Sequence, residues 1–124
     1  MNNRSVPTNT LVPHLVYRDV SKACAWLSRV FGFAENFRYG EPVSGVQMRL
    51  GDACIMLHGP GNGTASPIVA GFGTQMLTVI VPDVDAHYTR SKSEGTIIWE
   101  DLHETVYGER QYCVKDLDSH RWIF

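Results

Sequence analysis

LVPHLVYRDV (residues 11–20) and TQMLTVIVPDV (residues 74–84) are near-echoes, and reading them together decides the fold. Each is a short apolar run bounded by turn signals, which reads as a β-strand. Each ends in Asp-Val ahead of a segment with helical periodicity. Asp19 and Asp83 are helix N-caps, because a short carboxylate can accept the backbone N–H groups that a first helical turn leaves unpaired. After Asp19, Val20, Cys24, Leu27 and Phe31 recur at helical spacing, with Ala23 and Val30 filling the stripe. Gly32 follows the last periodic residue and supplies a left-handed stop. Val84 to Glu94 repeats the pattern more weakly, with Val84, Tyr88 and Ser91 on one stripe and Gly95 as the stop. Nearly the same interval separates the two aspartates and the two glycines, as a tandem duplication requires.

The flanking segments extend the repeat. Phe33 to Tyr39, Val43 to Leu50 and Ala53 to His58 read as three antiparallel strands separated by turns. Thr96 to Trp99, Glu109 to Lys115 and His120 to Phe124 replay them. GPGNGTASP (residues 59–67) is rich in breakers and lacks periodicity, so it reads as linker. The expectation is an α+β chain with a polar, mobile tail over 1–10. A first βαβββ module covers 11–58, a linker 59–73 and a second module 74–124.

The 124 residues include 44% hydrophobic and 19% charged side chains, enough for a real core. A net charge of −2, with basic residues scattered along the chain, gives no footprint for nucleic acid. No apolar run approaches the roughly 20 residues of a membrane span, and the first residues do not read as a signal peptide. Cys24, Cys54 and Cys113 form no C-x-x-C pair and are odd in number. They read as buried small hydrophobes in a reducing cytoplasm.

The element order, with RDVSKACAWLSRVFGF (18–33), QMRLGDACIML (47–57), VPDVDA (81–86) and YGERQYCVKDLDSHRWIF (107–124), resembles the vicinal oxygen chelate superfamily of glyoxalase, bleomycin-resistance and dioxygenase proteins. That resemblance implies curved mixed sheets forming a half-barrel cleft, helices on the outside, and a homodimer. The final segment departs from the family's pattern at Ser119, where glycine is usual. A serine there suits a turn of negative φ. In metal-dependent members four ligands line the cleft, and a divalent ion there acts as a Lewis acid on adjacent substrate oxygens. Counting from the helix caps and strand ends, the resemblance places those four ligands at Val12, Met56, Met76 and Ile123. None suits a hard divalent ion. No cofactor is therefore expected. A displaced metal site on His14 and His58 is the alternative, since each lies two residues past a missing ligand and keeps its strand face.

Ligand-binding candidates are His14, Gln47, Arg49, Trp99, Tyr107 and Arg110. Gln47 and Arg49 share a strand face, and Trp99 and Tyr107 flank the charged segment 100–104, read as a loop. His87 and His103 read as surface groups, and His58, at a strand end before Gly-Pro-Gly, as a solvated loop residue. The catalytic residues are unassigned. The favoured function is metal-free binding of a small, aromatic or cationic molecule. The alternatives are a metal-dependent lyase or dioxygenase using His14 and His58, and a non-catalytic interaction module. The last strand is expected to leave a short edge for a second subunit.

Overall fold

The computed structural model describes residues 9–124. The expected tail over 1–10 falls mostly outside the described residues. The chain forms two compact units whose boundary lies between Ser66 and Pro67.

In the first unit, β1 (His14–Val16) leads into α1 (Val20–Phe31), then β2 (Ala34–Tyr39), β3 (Gly45–Leu50) and β4 (Ala53–His58). The sheet order is β1-β4-β3-β2, with β1 parallel to β4 and the other neighbours antiparallel. Asp19 caps α1 by accepting the Lys22 N–H at 3.0 Å. Gly32 ends the helix at φ 86°, a backbone that glycine adopts without a Cβ penalty. The whole predicted stripe of α1 is buried. It packs against β3 and β4, whose Val46, Met48, Ile55 and Leu57 share one buried sheet face with Leu15.

The second unit opens with the short helix α2 (Pro67–Ala70), then β5 (Met76–Thr78), α3 (Val84–Ser93), β6 (Ile97–Glu104), β7 (Arg110–Lys115) and β8 (Arg121–Ile123). Its order, β5-β8-β7-β6, repeats that of the first, again with a parallel pairing of first and last strands. Asp83 caps α3 through the Ala86 N–H at 3.0 Å. Leu77, Trp122, Val114 and Ile98 form one rung across the sheet, and Trp122 is fully buried.

Several expectations need correction. The 59–67 stretch holds a Gly61–Thr64 bridge, and Ile68 in α2 donates its N–H to the Asp118 carbonyl at 2.9 Å. Segment 100–104 is strand, because two register shifts let β6 continue alongside β7. β8 is interior, between β5 and β7, so it leaves no edge. His87 is half-buried: its Nδ1 lies 2.6 Å from the Tyr112 hydroxyl and its ring 4.0 Å from that of Phe124. Ser119 has φ 67°, in the left-handed region, so the turn does not keep the negative φ that suits a serine.

Candidate functional site

Strand alternation gives each sheet one face toward its helix and one away from it. In the first unit the face away from α1 is laid out in rungs by the pairing register. One rung runs His14, Met56, Gln47, Phe37, and the next runs Val16, His58, Gly45, Tyr39. Arg49 and Cys54 stand on the rung before them. His14, Gln47 and Arg49 thus share a face, as their spacing suggested. Gln47 is buried and accepts the Asn36 amide N–H at 2.6 Å. Arg49 donates to Asn9 Oδ1 at 3.3 Å.

His14 and His58 sit diagonally on this face, and His14 Nδ1 lies 2.5 Å from His58 Nε2. Their ring centroids are 4.7 Å apart and their planes differ by 14°. That centroid separation is about the nitrogen–nitrogen distance plus the two ring radii. The rings therefore meet end-on, close to one plane, and do not overlap face to face. Burial, and then the neighbouring His14, push the His58 imidazole below its ordinary pKa. Beside His58, the Tyr39 ring lies across Gly45, where a Cβ would come within 2.1 Å of the phenol carbon Cζ. Tyr39 and His58 line a groove of about 540 Å³ with Arg18, Asp19 and Ser44.

In the second unit the face away from α3 carries the rungs Met76, Arg121, Lys115, Ile97 and Thr78, Ile123, Cys113, Glu100. The Arg121 guanidinium lies over the Trp99 ring, 5.4 Å from its centroid, a favourable cation–π distance. Trp99 stands near the start of β6, whereas Tyr107 is exposed in the turn beyond its end, so the two do not form one rim. Arg110 lines a second groove of about 270 Å³ with Thr78, Ile80, Ile123 and Phe124. It is engaged by Asp85, Nη2 to Oδ1 at 2.8 Å, and holds that carboxyl below its usual range. His103 lies on β6, 3.0 Å from Glu100 Oε1. The sequence reading missed Tyr39 and Arg121. Arg121 alternates with Ile123 across Trp122, which would have placed it on the face of the assumed metal positions.

The residues at those positions do not fit the family's divalent ion. Met56, Met76 and Ile123 present thioether or hydrocarbon on the faces away from the helices, and Val12, which precedes β1, is aliphatic. Among the described residues, no group of three or more His, Cys, Asp or Glu gathers as a ligand set.

Residues 9–124 match the family model described as the Glyoxalase/Bleomycin resistance protein/Dioxygenase superfamily, and the chain belongs to that family. Among solved structures it is similar to TioX from Micromonospora sp. ML1, at 32% identity and a TM-score of 0.80, covering 94% of this chain and 96% of the other. It shares its fold with a bleomycin-binding protein solved in complex with bleomycin, at 18% identity and a TM-score of 0.70, covering 94% and 96%. An uncharacterized protein of Mycobacterium tuberculosis strain H37Rv is 26% identical over 120 residues, 90% of this chain and 71% of that protein.

Proposed function

We propose that this chain is a binding protein for a small planar, aromatic molecule, and that it holds its ligand without reacting with it. The carrying observation is that the four positions where a chelating relative would polarise substrate oxygens are Val12, Met56, Met76 and Ile123, none of them a ligand for a hard ion. In the second unit, Met76 and Ile123 offer surface that desolvates a ring. Trp99 supplies a π-face and Arg121 a cation above it. Arg121 and Lys115 on one rung argue against a cationic ligand and for a neutral or anionic one. The likeness to TioX and the shared fold with a bleomycin-binding protein support the reading. The partner chemistry is small-molecule, and a homodimer in the cytoplasm is the setting we propose.

A thermal-shift screen of planar aromatic compounds, run with chelator present, tests it. A ligand at a hundredfold excess over its Kd adds about 2.7 kcal/mol, several degrees of Tm for a domain of this size. Trp99→Ala should abolish the shift, and Tyr107→Ala should leave it. Metal-stimulated lyase or dioxygenase turnover by the purified protein would overturn the reading.

A further inference from the structure

We propose that His14, His58 and Met56 form a copper site, selective for Cu⁺, on the face of the first sheet away from α1. The proposal does not depend on what the second unit binds.

Three observations carry it. First, the end-on contact of the two imidazoles aims one nitrogen lone pair from each ring at a common point. With no acceptor between them, one proton must occupy that point as an N–H···N bond, and a late d-block ion competes for the same lone pairs. Metal–imidazole bonds of about 2.0–2.1 Å place two nitrogens of a trigonal or tetrahedral ion roughly 3.3–3.6 Å apart. From 2.5 Å that is an opening of about 1 Å, which a side-chain rotation of His14 can supply, since it is exposed on a three-residue strand at the sheet's edge. Second, Met56 is the direct cross-strand partner of His14 and lies two residues before His58 on the same face. The residue that removes the family's hard-ion ligand therefore adds a thioether beside two imidazoles. Thioether sulfur selects Cu⁺, and imidazole is compatible with it, whereas magnesium, calcium and manganese favour oxygen. Third, the opposite end of the patch is shaped around His58. Tyr39 folds over Gly45 on the same rung, and any larger residue at 45 would displace it.

The second unit makes a useful contrast. Thr78 occupies the position matching His14, so the site belongs to one module only. No carboxylate stands on these two rungs, and no reaction is assigned to the ion.

The test is anaerobic competition between the full chain and the chelator bicinchoninate for Cu⁺, followed by titration with Zn²⁺ alone. One equivalent of Cu⁺ should be withdrawn from the chelator, and Zn²⁺ should bind more weakly. His14→Gln, an exposed change that spares the core, should weaken Cu⁺ by at least the roughly 10- to 100-fold that removing a residue behind a metal ligand costs. Met56→Leu, which keeps volume, should weaken Cu⁺ while leaving Zn²⁺ little changed. His103→Gln should bind like the wild type. Copper retained in full by His14→Gln would mean that the buried thiols or other groups bind it, and would overturn the proposal. So would tighter binding of zinc than of copper, or no withdrawal from the chelator.

Discussion

Ser119 sits at φ 67°, where an L-residue's Cβ crowds the following carbonyl. The turn around it holds it there. Asp116 Oδ1 accepts the N–H groups of Asp118 and His120, each at 3.0 Å, and Asp116 Oδ2 accepts Trp122 Nε1 at 3.0 Å. The Ser119 N–H itself donates to the Asp116 carbonyl. One buried carboxylate thus sets the conformation that the serine must adopt. Ser119→Gly relieves the Cβ strain but gives the unfolded chain more freedom. We expect a net gain of up to about 1 kcal/mol, read as a higher midpoint in urea with unchanged slope. A loss of stability would mean that the serine side chain contributes more than its backbone costs. The departure from the family's glycine was legible in the sequence, but its sign of φ was not. That sign is set by the Asp116 hydrogen bonds, which depend on a three-dimensional turn.

At the scale of elements, α1 and α3 are built differently although the sequence repeats them. Hydrophobic spacing announced α1 fully, since its stripe is the core itself. In α3 only Ser91 is buried, and the helix is held by polar and aromatic contacts. Ser91 Oγ lies 2.7 Å from the Tyr112 hydroxyl, His87 Nδ1 lies 2.6 Å from it, and the Tyr88 ring meets the Tyr112 ring edge-on. Periodicity of apolar residues cannot register such anchoring, which is why His87 read as a surface group. Burial pushes the Tyr112 phenol up to about 12, against the opposing hydrogen bond to Ser91. The neutral phenol is therefore favoured on folding. Its contribution is complete below the ordinary tyrosine value of 10.0 and is lost as pH rises from there through about 12. Tyr112→Phe should flatten that alkaline decline in Tm, and at neutral pH should cost about 1–2 kcal/mol for the lost hydroxyl contacts. An unchanged alkaline limb would show that another group controls it. The candidate site divides in the same way. Alternation was enough to place His14, Gln47 and Arg49 on one face, whereas the union of Trp99 with Arg121 needed the register shifts in β6.

At the scale of the molecule, each module carries its own buried thiols, Cys24 and Cys54 in the first unit and Cys113 in the second. Desolvation, reinforced by Glu35 beside Cys24 and Glu100 beside Cys113, pushes those two thiols up to about 11, and burial raises Cys54 as well. A protonated, covered sulfur does not attack a disulfide reagent until its surroundings open. At pH 8 the native protein should consume almost no Ellman's reagent over minutes, and should react fully once unfolded in guanidinium. A fast native equivalent would locate a module that opens on its own.

The parallel pairing of each module's first strand with its last has a further consequence. It makes the closing strand a central stave and not a fringe, with Trp122 and its rung neighbours spanning the sheet around it. A truncation that removes Arg121 to Phe124 would therefore strip hydrogen-bond partners from both sides at once, and the shortened product should be cleared as unfolded chain instead of persisting as a trimmed but working protein.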